Sequence, residues 1–111
     1  MLPTDMGLVA EMDSEPVGML WTRLFSAEAP GYGYVDDHTP EVSMAIRPEW
    51  QGQGIGKALM VQALKVLGER GHERVSLSVS KANERAVGLY RSMGFSLVSE
   101  NHEDYVMVKD V

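Results

Sequence analysis

The stretch Arg47-Pro48-Glu49-Trp50-Gln51-Gly52-Gln53-Gly54-Ile55-Gly56-Lys57-Ala58-Leu59 constrains this chain more than any other. A polar glycine loop runs there from an alternating strand straight into an amphipathic helix. Upstream, Val42, Met44 and Ile46 alternate with Ser43, Ala45 and Arg47, a strand with one buried face that Pro48 brings to an end. Downstream, Ile55, Leu59, Ala63, Val66 and Leu67 form one helical stripe, with Gly71 placed to cap the helix near Arg70. Glycines let the backbone approach a ligand without an intervening Cβ. The first N–H groups of a helix have no intrahelical partner and sit at the positive end of its dipole, so this junction has the geometry of an anion cradle. Two common nucleotide loops fail on spacing. A Walker loop needs Gly where Gln51 stands and Ser or Thr where Ala58 stands; the dinucleotide pattern fails from Gly52, at Lys57, and from Gly54, at Leu59.

The next segment extends the pattern. Val75, Leu77 and Val79 alternate with Ser76, Ser78 and Ser80, predicting a strand over Arg74 to Ser80. Strand, helix and strand in that order imply a right-handed crossover and a parallel pair. Asn83 can cap a second helix whose Ala86, Val87, Tyr90 and Met93 face inward, with Gly94 as its stop. A final hairpin follows, Phe95 to Val98 and Tyr105 to Lys109, turning at Glu100-Asn101-His102. Near the front, a strand from Leu8 to Met12 turns at Asp13 to Pro16 into a longer one from Val17 to Phe25. The segment from Ser26 to Pro40 reads as a loop with a short extended piece at Tyr32 to Val35.

Gln51-x-x-Gly54-x-Gly56, followed in order by Asn83-x-x-Ala86-x-x-Leu89-Tyr90-x-x-x-Gly94-Phe95, resembles the paired signatures of the GNAT superfamily of acetyl-CoA-dependent N-acetyltransferases. The resemblance covers roughly Met6 to Lys109 and is strongest from Glu41 to Leu97. It implies an α/β chain built on a mixed, mostly antiparallel sheet, with a central splayed parallel pair and helices on its faces. The family usually begins with a strand and two helices before the first hairpin, and this chain has only about seven residues there. It is therefore read as a single GNAT-like domain over residues 1–111, short at the front, either as a shortened member or as a fragment of a longer chain. The apolar surface this would uncover favours a homodimer.

The resemblance also implies a chemistry. The pyrophosphate of acetyl-CoA would lie on the N–H groups of Gln53, Gly54, Ile55, Gly56 and Lys57, beside Gln51 and Gly52. The pantetheine arm would run along Met44, Ala45, Ile46 and Arg47, inserted where the parallel strands part, and an N–H near Ile46 would face the thioester oxygen. Asn83 and Arg91 are further cofactor contacts. Tyr90 matches the family tyrosine that protonates the departing thiolate, and Glu41 is the first candidate for the base that deprotonates the acceptor amine. Ser78 occupies another position used for a base and cannot serve as one; Asp36 and Asp37 are reserves. Lys57 and Arg85 could meet phosphates, although Arg85 reads more simply as a solvated helix charge.

Composition narrows the alternatives. The chain has no cysteine, which excludes an acyl-cysteine intermediate and a thiolate metal site. His38, His72 and His102 lie in separate loops without ligand spacing, so no metal is expected. The net charge of −6 is uneven. Residues 1–50 carry nine acids and two bases, residues 51–111 seven acids and eight bases, so the half with the cradle is the less acidic one. Nucleic acid is not an expected partner, and no apolar run is long enough to span a membrane; with no leader pattern at Met1 to Asp5, the expected location is the cytoplasm. The expected activity is direct transfer of acetyl to a primary amine. A non-catalytic acyl-CoA-binding module and an unrelated phosphate-binding α/β domain are the alternatives.

Overall fold

Hydrophobic alternation along the chain resolves into six strands and two helices in a computed structural model that describes residues 6–24, 33–36 and 38–111. The elements are β1 (Met6–Met12), β2 (Glu15–Arg23), β3 (Glu41–Ile46), α1 (Ile55–Glu69), β4 (Arg74–Ser80), α2 (Glu84–Ser92), β5 (Ser96–Glu100) and β6 (Asp104–Asp110). A single 3-10 turn, Pro48–Trp50, joins β3 to the glycine loop. Phe25, Tyr32 and Asp37, which entered the sequence reading, lie outside the described residues, and residues 33–35 form no strand.

One mixed sheet is formed, in the order β1-β2-β3-β4-β6-β5. Every pairing is antiparallel except β3 with β4. The first hairpin turns at Asp13 and Ser14, both with positive φ (52° and 68°), the geometry that matches the twist of a tight hairpin. Pro16 sits inside β2, beside the point where the β1–β2 register shifts between Ala10 and Glu11. Proline lacks the N–H for a regular ladder and is tolerated at such irregularities.

Register shows which side is buried. Leu20, Val42, Leu77 and Met107 share one face, and they join Leu59, Met60, Ala63 and Leu67 of α1 and Tyr90 of α2 in one core cluster. Both helices therefore pack on the same side of the sheet. Leu20, Met60 and Leu67 are fully buried; burying side chains of this kind contributes about 1.5–3 kcal/mol each. Met60 was not in the helical stripe read from sequence, yet it fills the core beside Leu59. On the opposite face Val9, Met19 and Ala45 form an exposed cross-strand row.

Helix ends follow the local chemistry. The side chain of Asn83 accepts a bond from the Ala86 N–H at 3.2 Å, as a helix cap should. At the far end of α1, the His72 N–H donates to the Leu67 carbonyl and the Gly71 N–H to that of Gly68, which closes the last turn.

The position of the site is fixed by one weak pairing. β3 and β4 share only the Glu41–Ser76 register pair, supported by the Ser76 N–H donating to the Pro40 carbonyl at 3.0 Å. Beyond it the strands diverge.

Candidate active site

The divergence of β3 from β4 leaves backbone groups without a ladder partner. The Arg47 N–H donates to the Val17 carbonyl across the β2 side. Strand groups alternate sides, so Ala45 and Ser43 also face β2, while the N–H groups of Ile46 and Met44 face β4. With no β4 partner opposite them, those two N–H groups line the gap. The Ile46 carbonyl on the same edge accepts from the Gln51 side chain at 3.2 Å, so the glutamine of the loop signature ties the loop back to the strand.

The glycine loop ends on Gly54, which has φ of 84° and is the N-cap of α1. Left-handed backbone favours glycine there, and a Cβ on this residue would project into open space. The first intrahelical bond runs from the Ala58 N–H to the Gly54 carbonyl, which leaves the N–H groups of Ile55, Gly56 and Lys57 without helical partners. No side chain caps them, and the first turn holds no acid. Gly56 also has a packing role. A Cβ there would lie 3.2 Å from the Met44 methyl and 3.8 Å from Leu89, so its small size seats the start of α1 between β3 and α2.

These features open on one cleft of about 570 Å³ between α1, α2 and the gap. Of the residues expected from sequence, it brings together Met44, Ala45, Ile46, Gln51, Gly52, Gly54, Ile55, Gly56, Lys57, Asn83 and Tyr90. Four expected residues are not in its lining. The Arg47 side chain sits 4.0 Å from Glu49, and the Gln53 side chain bonds the Glu49 carbonyl at 3.3 Å. Arg91, in the last turn of α2, and Glu41 are also elsewhere.

The cleft gains Trp50, Arg85, Ala86 and Leu89. Arg85 is the consequential addition, because its guanidinium stands 3.2 Å from where a Cβ on Gly52 would be. From sequence this arginine reads either as a phosphate contact or, more simply, as a solvated helix charge. Its place just after the Asn83 cap was the one available signal, since that position turns a side chain toward the start of its own helix. Among the described residues the lining includes two cations, Lys57 and Arg85, and no carboxylate.

Tyr90 is largely buried, and its ring packs against Phe95 with centroids 5.6 Å apart and a 57° tilt. Burial pushes its phenol above the ordinary value, which keeps the hydroxyl protonated at neutral pH.

Glu41 lies at the closed end of the gap. Its Oε1 accepts the Gly33 N–H at 2.8 Å, while Oε2 is buried without a hydrogen-bond partner. Burial raises its carboxyl and the Gly33 bond opposes the shift. Asp36, held by Arg74 at 2.6 Å, moves the other way, to about 2. Asp36 and Arg74 line a separate pocket at the opposite end of β4 with His38 and His72. Among the described residues, no group of three or more His, Asp or Glu side chains could hold a metal, and no helix is long and apolar enough to cross a membrane.

A six-stranded mixed sheet whose one parallel pair splays beside a glycine-led helix start is the GNAT fold. A model of the acetyltransferase (GNAT) family matches residues 2–95, and the chain belongs to that family. The mycothiol acetyltransferase of Streptomyces coelicolor is 37% identical over 87 residues, which is 78% of this chain and 26% of that protein. The chain thus spans about a quarter of the length of the curated relatives it matches. In fold it is similar to the GNAT domain of S. lividans PAT, with a TM-score of 0.83 and 20% identity, over 96% of this chain and 61% of that one. It is also similar to the PaiA N-acetyltransferase from Thermoplasma acidophilum in complex with coenzyme A. There the TM-score is 0.79 at 22% identity, over 96% and 61% of the two chains.

Proposed function

We propose that this chain moves the acetyl group of acetyl-CoA directly to a primary amine. One observation carries the reading: the uncapped, acid-free start of α1 opens on the same cleft as the unpaired edge of β3 and the Tyr90 side chain. A pyrophosphate suits the N–H groups from Gln53 to Lys57, which have dipole and geometry in their favour. Lys57 and Arg85, both in the cleft's lining, add charge-assisted bonds to the same anion. Gln51, Gly52 and Asn83 flank the path, and Met44, Ala45 and Ile46 offer the strand edge along which an amide-bearing arm can run.

The chemistry then needs three things from the protein. The N–H of Ile46, or its neighbour Met44 on the same edge, is aimed into the gap and stabilises negative charge on a thioester oxygen, a contribution commonly worth a few kcal/mol. Holding donor and acceptor together supplies much of the remainder. As the amine nitrogen bonds to the carbonyl carbon and the carbon–sulfur bond breaks, the Tyr90 hydroxyl gives its proton to the departing sulfur. The nucleophile's own proton leaves to solvent on the open side. Glu41 is assigned no proton transfer here, because one of its carboxylate oxygens accepts the Gly33 N–H and the other is buried without a hydrogen-bond partner. The absence of cysteine from the sequence favours transfer within a ternary complex.

The test is calorimetry with CoA and with ATP, followed by thiol release from acetyl-CoA across a panel of amines. The panel includes an amino sugar, a peptide N-terminus, a lysine side chain and an acceptor of the mycothiol class named by the curated relatives. Clear preference for CoA together with amine-dependent release is the expected result; equal binding of ATP, or none of CoA, overturns it. A non-catalytic acyl-CoA-binding module is a second reading, favoured by the lack of a carboxylate in the described lining. Tight CoA binding without amine-dependent release would select it.

A further inference from the structure

We propose that Glu41 is a positioning residue, whose carboxylate fastens Gly33 over the closed end of the β3–β4 gap and so makes residues 33–36 the acceptor-side wall of the site. This rests on the acyl-transfer reading above, in which the helix-side cleft holds the donor. An acceptor must then reach the carbonyl from the sheet face opposite the helices. Glu41 and Ser76 lie on that face, because their register partners alternate with the core residues Val42, Val75 and Leu77.

Three observations place the wall. The Gly33 N–H donates to Glu41 Oε1 at 2.8 Å in a buried bond. A Cβ built on Gly33 would lie 2.8 Å from the carbonyl carbon of Leu77, 2.9 Å from the Ser78 nitrogen and 3.1 Å from the Glu41 carboxyl carbon. No side chain tolerates the two backbone distances, so only glycine fits against this peptide. That peptide follows the last β3–β4 pair, at Ser76, so Gly33 sits where the gap begins. Thirdly, Asp36 at the end of the same short segment is tied to Arg74 by a 2.6 Å ion pair and accepts the His38 N–H at 2.8 Å. The segment is therefore held at two points, one on each side of Ser76 along β4.

Glu41 keeps this contact at some cost. Its Oε2 and the Ser76 hydroxyl are buried without partners, an arrangement that disfavours the charged carboxylate. Arg23 stands across β2 as its register partner, and Arg74 lies on the same sheet face. A buried charge facing a single backbone N–H suits a fastening better than a proton acceptor that must exchange with a substrate.

The experiment needs no known acceptor. Glu41→Ala and Glu41→Gln are compared with the unaltered chain by amide hydrogen exchange over residues 33–36, by CoA calorimetry, and by acetyl-CoA hydrolysis without amine. In that last reaction water attacks the thioester carbon, the carbon–sulfur bond breaks, and acetate and CoA thiol are released. Loss of the fastening should speed exchange about tenfold or more, raise hydrolysis severalfold by admitting water, and leave CoA affinity within about twofold. Gln retains a carbonyl acceptor for Gly33 and should restore both readouts to near the unaltered level. In the unaltered chain the Gly33 amide resonance should titrate with Glu41, which keeps the idea testable even if Glu41→Ala does not fold. Unmoved exchange with intact CoA binding, a flat Gly33 titration, or equal changes of exchange and hydrolysis in the Gln and Ala variants would overturn the wall. Absence of CoA binding to the unaltered chain would instead overturn the acyl-transfer reading, while the exchange result would still report on the fastening.

Discussion

The two helices begin in opposite ways. α2 satisfies its own start, with Asn83 accepting from the Ala86 N–H and Glu84 in the first turn meeting the positive end of the dipole. α1 does neither. Its cap is Gly54, no side chain bonds its first N–H groups, and its first turn carries no acid. Both starts border the same cleft, and under the proposed function the difference divides the labour: α1 leaves N–H donors open to an anion, whereas α2 brings Arg85 and Tyr90 as side chains. A helix that leaves its N-terminus unsatisfied next to open space is a better sign of anion binding than any glycine pattern alone.

That division can be attacked from each side. The largest effect should come from α2. Tyr90→Phe keeps the ring against Phe95 but removes the hydroxyl, and the maximal rate of acetyl transfer should fall about a hundredfold, with acetyl-CoA affinity nearly unchanged. Equal activity would show that the hydroxyl is not the acid. On α1, Gly54→Val places a branched side chain in the space proposed for the anion, at a φ of 84°. CoA affinity measured by calorimetry should drop about tenfold or more, roughly 1.4 kcal/mol, with a stability loss of about 1–2 kcal/mol from the left-handed backbone. Unchanged affinity would remove the cradle.

Asn83→Ala sharpens the contrast, because it removes a cap already satisfied within the protein. Thermal unfolding should report a loss of about 1 kcal/mol, while CoA affinity changes less than about threefold; a larger loss of affinity would make Asn83 a ligand contact as well.

The smallest effects are in the acids near β4, and their signs differ. Asp36 is drawn down to about 2 by Arg74, so its contribution to stability is present above the ordinary carboxylate value and is lost as pH falls toward 2. Asp36→Asn should flatten the acid limb of a stability–pH curve. Glu41 is raised by burial, so its contribution is present below the ordinary value and declines as pH rises through the shifted one. Glu41→Gln should therefore hold stability level over the range where the unaltered chain loses it. Curves that move in the same direction for both variants would refute the opposed environments.

Much of the fold was legible because it rests on local rules. The Arg74–Ser80 strand has strict alternation, and its bounds agree with β4. The helix starting at Ile55 was found from its stripe and its following glycine, and the cap of α2 from Asn83. Most of the cleft's lining is legible in the sequence because the glycine loop and the Asn83 helix are contiguous stretches. The misses share a cause. Arg85 reaches Gly52 from a helix more than thirty positions away, and Gly33 leans on a β4 peptide more than forty positions further on. Neither leaves a period or a spacing to read.

By itself the sequence determined where the backbone must bend, where it must alternate and which helix lacks a capping side chain, since each depends on a few adjacent residues and their allowed dihedrals. Only the tertiary structure decided which N–H groups of β3 stay unpaired, that Arg85 faces the glycine loop, and that Glu41 is buried against Gly33 away from the cleft. Those outcomes depend on how far two strands diverge and on what packs across the gap, and burial and electrostatic environment exist only once distant segments meet.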